Sequence, residues 1–145
     1  MLVGVDGSEQ SERALAWAVS YAQTQDAAVE AVMSVRKTDD SAETHAMLRE
    51  AEAILATMIE RATGGLDRAV PVSAEVVVGD PAVVLVNASR NADLLVLGSH
   101  GMSTISNPAL GSVSTACIRM GSCPVLVIPA GKPEPSDDGA ALAPR

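Results

Sequence analysis

Leu94-Leu95-Val96-Leu97-Gly98-Ser99-His100-Gly101 puts four apolar residues in a row directly before a glycine-rich turn. A strand with no polar position has no face for water, so it must be covered on both sides. Pro124-Val125-Leu126-Val127-Ile128-Pro129 and Leu2-Val3-Gly4-Val5 read the same way. Strands of this kind belong to parallel sheets, whose crossovers need intervening helices.

The segments between them supply those helices. Ser8 suits the cap of a helix over 9–24, in which Ala14, Leu15, Ala18, Val19 and Ala22 recur at helical spacing. Residues 28–35 read as strand two. A polar stretch from Arg36 leads to a helix over 43–63 with the stripe Ala46, Met47, Ala51, Ile54, Leu55, Met58 and Ile59, stopped at Gly64-Gly65. Val72 to Val78 is strand three, and Pro81 opens a helix over 81–91. After Leu97, residues 98–110 lack periodicity, and a helix follows over 111–121. The order β-α-β-α-β-α-β-loop-α-β with right-handed crossovers predicts an α/β fold. It is a doubly wound five-stranded parallel sheet with helices on both faces. No internal repeat is visible. The expected organisation is one domain over 1–129 and a disordered tail over 130–145, where Gly, Pro, Asp and Ala dominate.

Composition agrees and excludes several roles. At 145 residues, 48% apolar and 19% charged, the chain can bury its own core. It has no Phe, one Trp and one Tyr, which leaves no stacking platform for single-stranded nucleic acid. Ten Lys plus Arg against eighteen Asp plus Glu give a net charge of −8, the wrong sign for holding a duplex backbone. No apolar run is long enough to cross a membrane, and the N-terminus lacks the charged start of a signal peptide. Cys117 and Cys123 fit a reducing compartment and no metal spacing. The expectation is a cytoplasmic protein with neither nucleic-acid nor membrane partners.

Doubly wound sheets bind ligands beyond the carboxyl ends of their strands, where the strand order reverses. The residues there are Asp6-Gly7-Ser8, Val35 and its neighbours, Gly79-Asp80, and Gly98 onward. Gly111-Ser112 stands where a helix begins, and free N–H groups with the helix dipole favour an anion there. Read from the residues alone, this is either a phosphate seat or a glycine-rich connector with Ser112 as a cap.

Gly98-x2-Gly101-x9-Gly111-Ser112 resembles the nucleotide-binding pattern of the universal stress protein family. The likeness extends to Val5-Asp6-Gly7-Ser8, Ala14-Leu15-Ala16-Trp17-Ala18, Gly79-Asp80-Pro81-Ala82, Ala92 to Gly101, Leu110 to Ser114 and Cys123 to Ile128. It spans residues 2–129 and implies the strand order 3-2-1-4-5. It also implies an adenine-nucleotide site. Asp6 would contact the adenosine part, its alternative being a turn Asp that bonds its own backbone. Val35 would lie against adenine, or else be plain core. Gly98, Gly101, Gly111, Ser112, Val113 and Ser114 would hold phosphates and ribose, with Gly7, Ser8, Ser99 and His100 beside them. Gly79 and Asp80 would shape the far wall.

The sequence departs from the family in its charge. No Lys or Arg falls between Gly98 and Ile118, Met102 stands where relatives often carry a basic residue, and Pro108 lacks an N–H. His100 is the one cation that loop could supply; otherwise it is an exposed loop residue. ATP is the first ligand expected, with neutral donors and a bound Mg²⁺ carrying the charge. AMP and cyclic AMP are the alternatives, because fewer charges need fewer cations.

The residues offer no catalytic set. The P-loop pattern is absent, and a phospho-acceptor switch built on Asp6, Asp80, Ser99 and Lys132 lacks a second acid and a final helix. A nucleotide-dependent regulatory switch or carrier is expected, its alternatives a slow ATPase or a nucleotide-free module for protein partners. Strand five would lie at the sheet edge, where Val125, Leu126, Val127 and Ile128 predict pairing into a homodimer.

Overall fold

The computed structural model describes residues 1–100 and 110–129. The expected tail over 130–145, and Gly101, Met102 and Pro108, lie outside them. The elements are β1 (Leu2–Val5), α1 (Glu9–Gln25), β2 (Val29–Val35), α2 (Ser41–Thr63), β3 (Val72–Val78), α3 (Pro81–Ala88) with a 3-10 turn over Ser89–Asn91, β4 (Leu95–Gly98), α4 (Ser112–Met120) and β5 (Val125–Ile128). The five strands form one parallel sheet in the order β3-β2-β1-β4-β5. The fold class and strand order expected from the sequence are therefore those observed.

Alternation along each strand divides the core into two layers. Val3, Val5, Ala31, Met33, Val35 and Val96 face α1 and α2, where Leu15, Val19, Leu55 and Met58 meet them. Their neighbours Leu2, Val32, Leu95 and Leu97 face the other way, onto Leu85 of α3 and Cys117 of α4. No aromatic ring is fully buried, Trp17 packing on the core only partly covered, and the backbone closes in instead. A Cβ on Gly4 would stand 2.6 Å from Leu97 Cδ2 and 2.7 Å from Leu85 Cδ1.

Two local expectations shift. Helix α2 starts at Ser41 rather than 43 because the Asp40 carboxylate accepts the N–H groups of Ala42 and Glu43. Its stripe is also narrower than expected. Ala51, Leu55 and Met58 are buried, Met47 and Ile59 half-buried, but Ala46 and Ile54 are exposed, since α2 rests on the sheet with one face only. The third helix stops at Ala88 and tightens into the 3-10 turn. There the Ser89 hydroxyl donates to the Val86 carbonyl at 2.6 Å and accepts the Ser122 N–H at 2.9 Å.

Candidate functional site

Strand order reverses between β1 and β4, and a cavity of about 320 Å³ opens at the carboxyl ends of the strands there. Its inner wall is apolar, from Val32, Val84, Leu85 and Leu97. Its polar groups come from five separate places: Asp6 after β1, Ser11 in α1, Ser34 and Arg36 at the end of β2, His100 after β4, and the first turn of α4.

The helix N-termini are not alike. Ser8 caps α1 by accepting the Ser11 N–H at 3.2 Å, while the carboxylates of Asp40 and Asp80 cap α2 and α3. Helix α4 begins at Gly111, which has no side chain to offer. The first N–H groups of a helix have no partner inside it. Those of Ser112, Val113 and Ser114 meet no acceptor among the described residues, and all three residues line the cavity. The Gly111 N–H is not among the open ones, because it donates to the Ser99 carbonyl at 2.8 Å. The Ser114 hydroxyl is also engaged, donating to the Gly98 carbonyl at 2.8 Å.

Of the residues singled out in the sequence, Asp6, Gly98, His100, Gly111, Ser112, Val113 and Ser114 come together around this cavity. Asp6 sits on the rim in a turn, where its Oδ1 accepts the Ser8 N–H at 2.9 Å and its own N–H donates to Ser11 Oγ at 3.2 Å. Gly7, at φ +83°, lets the chain turn there and is exposed. Gly7 and Ser8 shape this turn without lining the cavity. The Val35 side chain points away, into the layer under α1 and α2; strand alternation gives the cavity Val32 and Ser34 instead. Gly79 donates its N–H to the Val35 carbonyl at 2.9 Å, and the far wall is made by α3 rather than by Gly79. Asp80 is committed to its cap on Ala82 and Val83.

Ser99 is buried behind the wall. Its Oγ lies 3.0 Å from His100 Nδ1, the spacing of a nucleophile and its base. Ser99 does not line the cavity, however, and its hydroxyl sits between His100 and Gln10 of α1. His100 is half-buried rather than an exposed loop residue, because its N–H donates to Gln10 Oε1 at 2.9 Å and holds it against α1.

Arg36 was covered in the sequence only as a neighbour of Val35 and not as a candidate ligand contact. It is the one Lys or Arg among the described residues that line the cavity, and it comes from β2 rather than from the glycine-rich loop. Its position directly after Val35, at a strand's carboxyl end, was the available signal. Beneath the cavity, burial, and secondarily Cys123, push the Cys117 thiol up to about 11. No group of three or more His, Cys, Asp or Glu residues that could hold a metal ion occurs among the described residues.

A sequence model of the universal stress protein family matches residues 1–129. A universal stress protein of Mycobacterium tuberculosis (strain H37Rv) is 33% identical over 139 residues, covering 88% of this chain and 47% of that protein. The chain thus spans about half the length of the curated relatives it matches. A universal stress protein crystallised in complex with cAMP superimposes with a TM-score of 0.72 at 30% identity, over 88% of this chain and 94% of that one. A universal stress protein of Lactobacillus plantarum gives 0.77 at 24% identity, over 88% and 94%. With its fold, its glycine pattern and this match along nearly the whole described length, the chain belongs to the universal stress protein family.

Proposed function

We propose that this chain binds an adenine nucleotide and acts as a nucleotide-dependent regulatory switch or carrier without dedicated catalysis. One observation supports the reading: among the described residues α4 has no side-chain cap, and the three residues whose N–H groups meet no acceptor there line a cavity at the strand reversal. Phosphate oxygens would accept from the N–H groups of Ser112, Val113 and Ser114. Base and ribose would lie toward β1 and β2, the base against Val32 and Val84 and a ribose hydroxyl near Asp6.

ATP is the ligand put first, on the glycine pattern. Cyclic AMP is the second reading, favoured by the relative crystallised with it and by a cavity at the small end of the usual range of about 300–1,000 Å³. Asp6 is the one carboxylate among the described lining residues, so a Mg²⁺ ion would fit only with the phosphates supplying most of its ligands. That ion would neutralise phosphate charge beside the α4 amides.

Micromolar affinity needs about 8 kcal/mol, within reach of three or four charge-assisted hydrogen bonds plus apolar contact. The test is to denature the purified protein, identify released nucleotide by chromatography, and titrate the emptied protein with ATP, AMP and cyclic AMP. Micromolar binding of any of the three supports the reading. Failure of all three at millimolar concentration rejects it.

The same reading includes a cytoplasmic homodimer. β5 is hydrogen-bonded on one side, to β4, and its four apolar residues are only half-buried. Pairing with the same strand of a second copy would cover that edge. Light scattering at micromolar protein should give twice 14.8 kDa, and a mass of 14.8 kDa would reject the pairing.

A further inference from the structure

Gln10, Arg13, Trp17 and Tyr21 recur every three or four residues, so they share one flank of α1. The first two show which way that flank faces. Gln10 Oε1 accepts the His100 N–H at 2.9 Å after β4, and Arg13 donates to the Pro129 carbonyl at 3.1 Å after β5. The opposite flank carries Glu12, which meets Arg61 of α2. Trp17 and Tyr21 therefore stand on the side of the edge strand. They are the one Trp and the one Tyr of the chain, stacked with centroids 5.0 Å apart, and Tyr21 is 40% exposed.

The sheet beside them is equally open. On this face α1 lies across β1 and β4, and α2 lies beyond it. Among the described residues no third helix covers β5 there, so Leu126 and Ile128 stay half-buried. The other face of β5 is different, because Val125 packs into the layer that holds Cys117 of α4.

We propose that the Trp17–Tyr21 stack is the docking surface for a second copy of this chain, packing over the joined β5 edges against the same two rings of that copy. The inference rests on the homodimer reading above and adds the helix flank that selects the partner. Strand pairing alone is too small: β5 offers four residues, whereas a stable interface takes about 20–30 a side. A bare edge also accepts any open strand and so specifies no partner. Antiparallel pairing of β5 with itself sets a twofold axis perpendicular to the sheet, which leaves both copies of α1 on one face. Each α1 lies two strand spacings from that axis, so the two helices stand about 20 Å apart. Helices in direct contact sit about 8–10 Å apart, so only large side chains reaching from both sides fill the gap. The levels agree as well. Four residues of helix descend about 6 Å, close to two residues of strand. With Arg13 beside Pro129, Trp17 is level with Val127 and Tyr21 with Val125, on either side of the strand's midpoint. Twofold symmetry then sets Trp17 of each copy opposite Tyr21 of the other. Trp and Tyr are the side chains that dominate interfaces once water is excluded from them.

The test uses the whole chain, with Trp17 as its own reporter. On dilution from micromolar to nanomolar protein, sedimentation should show the dimer dissociating, and Trp17 emission should shift to the red along the same curve. Tyr21→Arg, a change at an exposed position, should raise the dimer dissociation constant at least tenfold. An equilibrated equimolar mixture of Tyr21→Arg and Tyr21→Glu should give heterodimers well above the statistical half in native mass spectrometry, because like charges meet in each homodimer. Trp17 emission that stays constant while the dimer dissociates overturns the inference and assigns any cover on the rings to the chain's own residues. Heterodimers at the statistical half also overturn it. Either result leaves strand pairing standing, whereas a parent chain that is monomeric throughout overturns both.

Discussion

Gly111 donates its main-chain N–H to the carbonyl of Ser99 at 2.8 Å, tying the start of α4 to the end of β4 across twelve positions of sequence. The bond fixes where the proposed anion seat begins. Gly111 holds the two ends of the loop together, and the donors that meet no acceptor among the described residues start one residue later, at Ser112. The glycine is also what leaves those donors open, since any Asp, Ser or Asn there could cap the helix.

Gly111→Asp should therefore separate binding from stability. The backbone at 111 has φ −65° and ψ 164°, which Asp adopts without strain, and its N–H would still reach Ser99. The new carboxylate would cap α4 as Asp80 caps α3 and repel phosphate. Nucleotide affinity should fall more than tenfold, while the melting temperature holds or rises with a gain of a few tenths of a kcal/mol. Titration calorimetry and thermal melting of the same preparation read both.

Arg36→Gln should lower affinity in proportion to ligand charge. β2 lies two strand spacings from β4, about 10 Å, where a unit charge contributes roughly 0.4–1.7 kcal/mol depending on effective dielectric. That is roughly two- to twentyfold for each phosphate charge at that distance, so ATP should weaken more than AMP and adenosine hardly at all. The difference should shrink at 0.5 M salt, where screening takes over. Titrations at low and high salt check this.

Gly4→Ala should disturb the fold and the site together. The added methyl would fall within 2.6–2.7 Å of Leu97 and Leu85, both of which line the cavity. Overpacking of this kind costs about 1–3 kcal/mol. Urea denaturation should show a lower midpoint with an unchanged slope, and nucleotide affinity should drop as the two leucines are pushed into the cavity.

Cys117 should make stability fall in alkali. Its folded value of about 11 lies above the 9.0 of a free thiol, because burial opposes the charged thiolate. Below pH 9 folded and unfolded chains both keep the proton. Between 9 and 11 the unfolded chain loses it first, so stability declines through that window. Cys117→Ala should flatten this part of the profile when unfolding free energy is followed by denaturant titration from pH 8 to 11.

The sequence by itself determined the strands, their parallel pairing and the region of the site. Those features are local: Leu94 to Leu97 has no polar face, Pro81 opens a helix, and glycines gather after β4. The strand order was legible through family resemblance. Tertiary structure alone decided which atoms meet. Val35 and Ser34 are neighbours in the chain, yet they face opposite layers, and only the sheet's packing tells which layer holds the cavity. Arg36 lines the same cavity as residues more than sixty positions later, and Gln10 holds His100 across 90 positions. Periodicity along a chain reports which way each residue faces within its own element. What that face touches depends on how distant elements stack, and this is why the Gly111 amide proved occupied, the Ser112 to Ser114 amides without an acceptor among the described residues, and the lining cation came from the end of β2.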